Sequence, residues 1–212
     1  MKFPALKKGE KVLAAAALLY TALFAAYYFS IGNFEFLWYI AVLLGFFALI
    51  FSTIRRSNFD YVVLGGLSLW GLLHLAGGGV VIGGEVLYRF VLIPIASDGG
   101  ELTILKYDQA VHFFGFFVAT LVVYHLLKPY LNERTNWAVV YPLLAAAGTG
   151  LGVLNEIVEF TAVLLVANTG VGGYGNTALD LVFNTLGAIA AAFFIHFYYR
   201  RRMPQATPLP LE

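Results

Sequence analysis

The sequence predicts an all-α protein, an integral membrane bundle of six transmembrane helices, and three observations carry that prediction. The chain has 212 residues, of which 60% are hydrophobic and only 12% are charged. Its mean hydropathy of +0.80 is far above the range of soluble domains. Six apolar stretches are long enough to cross a bilayer core, which needs about 20 helical residues. These stretches are 12–30, 34–54, 59–82, 107–127, 137–167 and 177–199.

Basic residues flank these stretches at four places and indicate their orientation. Four lysines precede the first stretch, and three arginines at 200–202 follow the sixth. Arg55 and Arg56 join the second stretch to the third, whereas Lys128 and Arg134 join the fourth to the fifth. By the positive-inside rule, all four places face the cytoplasm. We therefore expect a multi-pass protein of the cell membrane (inner or plasma membrane) with both termini cytoplasmic.

Three further expectations concern the C-terminal tail, the loop between helices three and four, and the length of the fifth stretch. We expect one transmembrane helical domain over 1–203 and a disordered C-terminal tail over 204–212, which contains three prolines. The external loop between helices three and four is partly apolar over 86–95. That run is too short to cross a membrane, so it forms either an interfacial or re-entrant element or a plain loop packed on the helix ends. The fifth stretch is longer than a bilayer core and must tilt, protrude or break.

The composition excludes several classes of function. Cysteine is absent, which rules out disulfides, zinc sites with cysteine ligands, thiol catalysis and iron–sulfur clusters. The basic residues lie at segment ends and form no continuous face, so we expect no nucleic-acid partner. The expected partners are membrane lipids, and any metal would need histidine and carboxylate ligands.

Polar residues inside the apolar stretches are the candidates for function. Charge in hydrocarbon is costly, so ionisable residues there usually face a protein interior or a wet cavity. The helix directions bring seven polar residues from four helices, six of them ionisable, to a similar depth in the outer half of the membrane. Most are three or four positions from a partner, a spacing that puts both on one helix face. The seven are His74, Asp108, His112, Glu156, Glu159, Asp180 and Asn184.

Five of these residues carry side chains that bind divalent metals. Helical bundles build metal sites from carboxylates and imidazoles on neighbouring helices. Mixed oxygen and imidazole ligands suit zinc, manganese or iron better than soft metals. A carboxylate with His112 could instead act as a general base towards water. The candidate metal ligands are Asp108, His112, Glu156, Glu159 and Asp180.

Each candidate also has a purely structural interpretation. Asp108 could cap the start of its helix, as acceptors commonly do. His74 and His112 could be neutral imidazoles that hold helices together, and Asn184 could be an amide bridge. Glu156 and Glu159 are harder to explain structurally, because two carboxylates on one face are costly unless a proton or a cation separates them. Three further residues are predicted to be interfacial or solvated and are excluded from the site: His125, His196 and Glu35.

Four short motifs, in order along the chain, resemble those of the YjdF-like family of multi-pass membrane proteins. They are Leu-His74-Leu-Ala-Gly-Gly, Tyr107-Asp108-Gln-Ala-Val-His112-Phe, Asn155-Glu156-Ile-Val-Glu159-Phe160 and Asp180-Leu-Val-Phe-Asn184-Thr-Leu-Gly187-Ala. The Asp-x-x-x-His and Asp-x-x-x-Asn-x-x-Gly patterns are more remotely similar to VanZ-like proteins. The resemblance covers about 59–199 and implies a membrane protein of unassigned activity. Asn176 stands where that family would have an acidic residue, and Phe160 where it would have tryptophan.

Three functions are compatible with these observations. The first is a membrane enzyme, either metal-dependent or using general-base catalysis, that acts on a lipid or lipid-linked substrate from the outer leaflet. The second is an ion- or proton-coupled transporter that uses the polar residues as its binding site. The third is a non-catalytic membrane scaffold. We favour the enzyme, because polar bridges between membrane helices are worth only about 0.6 kcal/mol on average, too little to explain so many ionisable groups.

Overall fold

Six helices dominate the computed structural model, which describes residues 6–96 and 102–200. All six are long and apolar enough to cross a membrane, which confirms the predicted fold class. The predicted tail, 204–212, lies outside the described residues. The helices are α1 (Lys8–Ser30), α2 (Phe34–Ser57), α3 (Tyr61–Gly79), α4 (Tyr107–Leu127), α5 (Trp137–Leu165) and α6 (Tyr174–Phe194).

Side-chain caps account for the helix boundaries that the hydropathy pattern leaves imprecise. The Asn33 side chain accepts a hydrogen bond from the backbone N–H of Phe36 (3.1 Å), which starts α2. Asn58 ends that helix in a left-handed conformation (φ 46°). Asp60 then caps α3 by accepting from the N–H of Val63 (3.0 Å). Because Asp60 fixes the start, α3 begins two residues later than the apolar run.

The connection between α3 and α4 folds as short strand pairs. Strand β1 (Val81–Ile82) pairs with β2 (Glu85–Val86), and β3 (Val91–Ala96) pairs with β4 (Ile104–Lys106); both pairs are antiparallel. The described part of this connection contains no re-entrant helix. Tyr88, between the two pairs, packs its ring against Gly77 at the end of α3. The apolar run therefore consists of a single 3-10 turn, Leu87–Arg89, followed by extended backbone.

Contacts at the two ends of the bundle define its polarity. We call the end that carries the α1–α2, α3–α4 and α5–α6 connections the loop end, and the opposite end the terminal end. At the terminal end the Tyr199 hydroxyl donates to Asp60 Oδ2 (2.7 Å), and Arg55 Nη2 lies 3.7 Å from Glu10 Oε2. Arg55, Arg56, Lys128, Arg134 and Arg200 therefore lie at the terminal end, whereas Lys106, which precedes α4, lies at the loop end.

Glycines set the closest helix contacts around α4, the central helix, which packs on α3, α5 and α6. Gly187 of α6 lies directly against the backbone of Phe113 and Phe117 in α4. On α5, Gly148 faces Thr120 and Gly152 faces Asn184, whereas Gly150 faces open space. Gly148 and Gly152, four residues apart on α5, thus lie on a face that packs closely against the neighbouring helices.

A buried polar group ties α3, α4 and α6 together at the terminal end. His125 lies in the last turn of α4, near the helix end as predicted, but it is packed inside the bundle and only 6% exposed. Its Nδ1 lies 2.9 Å from the Leu121 carbonyl oxygen, which can only accept, and its Nε2 lies 3.5 Å from Asp60 Oδ2. A π-helical turn over Ile195–Tyr199 brings the Tyr199 hydroxyl to the same carboxylate. This group acts as a polar clamp on three helices.

Replacing Asp60 with asparagine is expected to lower the melting temperature at neutral pH. Burial raises the pKa of Asp60, but the hydrogen bonds from Val63 and Tyr199, with the nearby His125, outweigh it, and the net pKa lies below its usual value. A carboxylate with a lowered pKa stabilises the fold above about pH 4, and this stability is lost as the pH falls through the folded-state pKa. Asparagine retains the helix cap. Thermal unfolding of both proteins should converge as the pH falls below the folded-state pKa of Asp60, and an equal difference at every pH would contradict this account.

Candidate functional site

Six of the seven candidate residues converge at the loop end, in a group that we call the loop-end cluster. His112 of α4 lies at its centre and is 7% exposed. Its Nε2 is 3.6 Å from Asp108 Oδ1 and 3.7 Å from Glu159 Oε1. Spacings of three and four residues on α4, α5 and α6 bring these side chains to one depth. The cluster comprises Asp108, His112, Glu156, Glu159, Asp180 and Asn184.

The Asn184 side chain sets the orientation of the central imidazole. Its Oδ1 accepts from His112 Nδ1 (3.0 Å), while its Nδ2 donates to Glu156 Oε1 (3.3 Å). An amide oxygen only accepts, so Nδ1 carries the hydrogen and the lone pair of a neutral imidazole resides on Nε2. That lone pair faces Asp108 and Glu159. This is the arrangement of a metal-binding histidine whose other nitrogen is held by a neighbouring group.

On the α6 side of the cluster, Asp180 is fully buried, and only one of its two carboxylate oxygens has a hydrogen-bond partner. Its Oδ2 accepts from Asn176 Nδ2 (2.6 Å), whereas its Oδ1 is a buried atom with no hydrogen-bond partner. The same Asn176 amide lies 3.3 Å from Asp108 Oδ2, and its oxygen accepts from the Lys106 ammonium (2.6 Å). A buried carboxylate oxygen without a partner is costly. A bound cation would satisfy it.

On the α5 side, the two glutamates occupy different environments. Glu156 is 9% exposed and accepts from Asn184. Glu159 accepts from Asn155 Nδ2 (2.9 Å), one turn away on the same helix. Asn155 therefore bridges within α5. The two carboxylates approach His112 from the same helix and leave their remaining lone pairs free for a ligand.

The residues present fit a divalent metal ion. Two groups of side chains have their ligand atoms within 4.8 Å of one another, namely Asp108, His112 and Asp180, and His112, Glu156 and Glu159. Ligand bonds of about 2.0–2.2 Å require ligand atoms no more than about 4.4 Å apart, so small side-chain movements suffice. Both groups share His112. The donor set is oxygen and imidazole, which suits zinc, manganese or iron.

His74, the seventh candidate, lies outside the metal-binding groups. Its Nδ1 shares a 2.6 Å hydrogen bond with the Tyr88 hydroxyl. Burial, reinforced by Asp108 and Glu159, raises the pKa of Tyr88 well above its usual value, so this side chain stays a neutral phenol. The ring of Tyr39 packs edge-on against His74, with centroids 5.4 Å apart. His74 is thus a hydrogen-bonded imidazole packed among aromatic rings.

A cleft of about 640 Å³ connects the cluster to the loop end. Asp108 and Glu159 are the cluster residues on its surface, and His74 and Tyr88 line it from α3 and the strand pairs. The volume is within the usual range for small-molecule sites. A second cavity of about 320 Å³ lies between α1, α2 and α3 and is almost entirely apolar, so we do not associate it with the polar cluster.

Three polar residues near the cleft were not among the candidates. Glu35 was predicted to be solvated but is only 7% exposed, and it accepts from the backbone N–H of Gly170 (2.6 Å). Lys106 and Asn176 extend the cluster through their mutual hydrogen bond. The departure from the family motif at Asn176 was the one signal that pointed to this position. Glu35 sits in the first turn of α2, where a solvated acid is ordinary.

Six apolar helices around an internal polar cluster define a multi-pass membrane protein with a buried polar site. The chain belongs to the family described as predicted membrane protein (DUF2238), whose model matches residues 12–201. The match therefore includes the first two helices, which carry none of the four motifs.

The chain is also similar to one relative over part of its length. An uncharacterized protein of Thermotoga maritima is 32% identical over 108 residues, which cover 47% of this chain and 55% of that protein. The chain thus spans about half the length of this relative. No solved structure matches the chain.

Proposed function

We propose that the loop-end cluster binds a divalent metal ion and that the protein is a metal-dependent membrane enzyme. The observation that carries this proposal is the convergence of two overlapping sets of ligand atoms, each within 4.8 Å, on His112. The partnerless Oδ1 of buried Asp180 supports it, because leaving a buried carboxylate oxygen without a partner is costly and a cation would remove that cost. Zinc, manganese and iron are the metals that the ligands favour.

The substrate proposed for this enzyme is a lipid or a lipid-linked molecule. The site opens through the cleft at the loop end, close to where a lipid head group would lie if the six helices span the bilayer. The basic residues at the terminal end support a cytoplasmic location for both termini and an outward-facing cleft. The ordered motifs support a YjdF-like assignment within the family, and a remoter VanZ-like relationship remains part of this proposal.

The proposed chemistry is hydrolysis in the head group. A bound divalent ion would supply Lewis-acid activation of a substrate oxygen. Asp108 and Glu159 border both the cluster and the cleft, so either carboxylate can accept a proton from water as that water attacks an ester or phosphoester. The bond to the leaving group breaks, and the leaving oxygen takes up a proton.

The alternative of ion- or proton-coupled transport has one observation in its favour, the second polar group at the terminal end. His112 and His125 are 13 positions apart on α4, or about 20 Å. Over that interval the buried face of α4 is mainly apolar, and its polar atoms are the hydroxyls of Thr120 and Tyr124. The hydroxyl of Thr120 donates within its own helix to Phe116. We favour the enzyme because this interval offers no continuous polar path.

Elemental analysis tests the proposed metal site directly. We expect protein purified in detergent, after supply of zinc, manganese or iron, to hold stoichiometric metal. The double variant Glu156→Gln, Glu159→Gln should lose it, because two carboxylate ligands become neutral amides that bind metal poorly. The matched control is Glu85→Gln, Glu133→Gln, which removes two exposed charges outside the cluster and should retain the metal.

Two results would contradict the proposal. The first is wild-type protein that holds no metal with any of the three ions. The second is a double variant that keeps as much metal as the control. Melting temperatures of all three proteins, measured in parallel, distinguish lost ligands from lost folding.

A further inference from the structure

One buried carboxylate on the cleft lies outside the loop-end cluster. Glu35 is buried, and its two oxygens accept single hydrogen bonds from the Gly170 N–H (2.6 Å) and the Tyr39 hydroxyl (3.3 Å). Among the described residues it forms no ion pair with lysine, arginine or histidine. A buried carboxylate is expensive unless it is paired. Because Glu35 lines the cleft, a cation from outside the chain could reach it there.

Aromatic rings continue from this carboxylate along the cleft. Phe36 and Tyr39 pack edge to face with centroids 5.3 Å apart, and Tyr39 meets His74 at 5.4 Å. His74 in turn contacts Tyr88 at 5.9 Å. All four rings line the cleft, and we call them the aromatic wall. Ring faces attract organic cations, most strongly where water is excluded.

The side chains on the surface of the cleft carry more negative than positive charge. The acidic residues on its surface are Glu35, Glu85, Asp108 and Glu159, and the basic residue is Arg89. Arg89 is already occupied, since its Nη1 lies 3.2 Å from Glu85 Oε2. Asp108 and Glu159 belong to the groups of converging ligand atoms and Glu35 does not, so a bound metal ion would leave the charge of Glu35 unpaired. The cleft thus favours a ligand with a positive group at this position.

We propose that Glu35 and the aromatic wall form a subsite that binds a positively charged amine of the substrate. This inference rests on the proposed function and adds the chemical class of the head group. A second metal ion fits Glu35 less well, because Glu35 belongs to neither group of converging ligand atoms. The amine could belong to a lipid head group or to a soluble molecule, and both share the ammonium chemistry.

The test uses metal-loaded, full-length protein and two amine probes. Ethanolamine in solution is followed by saturation-transfer NMR. Retention of lipid is followed by native mass spectrometry after reconstitution in vesicles with equal amounts of phosphatidylethanolamine and phosphatidylglycerol. The Glu35→Gln variant keeps an acceptor for Gly170 and loses only the charge. We expect it to weaken amine binding about tenfold or more, the size of effect typical for loss of one buried charge partner.

Glu85→Gln is the matched control, since it removes an equal charge from the same cleft and should change amine binding little. Glu35→Asp, which keeps the charge on a shorter side chain, should retain part of the binding and guards against misfolding of the first variant. Enrichment of phosphatidylethanolamine would support a lipid as the source of the amine. Ethanolamine binding without lipid enrichment would support a soluble amine.

Several outcomes would overturn the subsite. These are absence of binding by both amines, equal binding by Glu35→Gln and wild type, or simultaneous loss of metal and amine in Glu35→Gln. Metal content is measured independently on every sample. Wild-type protein that binds the amine but no metal would overturn the proposed metal enzyme and leave the amine subsite standing.

Discussion

Replacing Gly187 with alanine is expected to destabilise the protein and disrupt the loop-end cluster together. A Cβ at this position would meet the backbone of α4, with the carbonyl carbon of Phe113 at 2.9 Å and the amide nitrogen of Phe117 at 3.0 Å. Backbone atoms inside a helix cannot rotate away, so α4 and α6 must separate. Overpacking of this kind costs roughly 1–3 kcal/mol, which exceeds the gain of about 1 kcal/mol from better helix propensity.

The effect on the cluster follows from the position of Gly187. It lies one turn from Asn184 on α6, and it touches the residue next to His112 on α4. Separation of the helices therefore lengthens the bond between Asn184 and His112. We expect a lower melting temperature in detergent, measured by thermal unfolding, and weaker metal binding.

Gly150→Ala provides the matched control for this prediction. Gly150 lies in α5, and a Cβ there would meet nothing within 4 Å. The same chemical change should leave the melting temperature unchanged or raise it, because alanine is the better helix former. Equal melting temperatures for Gly187→Ala and wild type would show that α4 and α6 do not depend on this close contact.

The helices of this fold could be predicted because each one corresponds to a long, continuous apolar run in the sequence. Runs of about 20 apolar residues have few alternatives in structure, and the observed helices begin and end within a few residues of the predicted stretches. Where the boundaries differ, the cause is a local cap such as Asp60. The strand pairs over 81–106 could not be predicted in this way, because short apolar runs do not distinguish strands from interfacial segments.

The convergence of the cluster could be predicted in part from spacing and direction. Residues three or four apart share a helix face, and alternating helix directions gave Asp108, Glu156 and Asp180 a similar depth. The positions of His74 and Glu35 could not be predicted. His74 turns towards Tyr88, which arrives from the strand pairs, and Glu35 is buried by the backbone of Gly170 in a distant loop. Both side-chain positions depend on loops whose path cannot be predicted from the hydropathy pattern.

Replacing Asn184 with alanine is expected to weaken metal binding by about 10- to 100-fold without removing a ligand. The Asn184 amide oxygen fixes the hydrogen of His112 on Nδ1 and leaves the Nε2 lone pair facing Asp108 and Glu159. Without that acceptor the imidazole can change tautomer and rotate. Metal titration against a chelator measures the affinity, and nitrogen NMR of labelled histidine reports which ring nitrogen carries the hydrogen.

Thr185→Ala is the control for this prediction, because Thr185 is adjacent on α6 and its hydroxyl donates to Leu181 within the same helix. It should keep both the metal affinity and the His112 tautomer of the wild type. Excess metal should restore full occupancy in Asn184→Ala, whereas the Glu156→Gln, Glu159→Gln variant should stay below full occupancy, since two of its five candidate ligands are missing. An orienting role for Asn184 is refuted if its replacement leaves the tautomer and affinity unchanged. The amide would then serve only to pack α6 against Gly152 of α5.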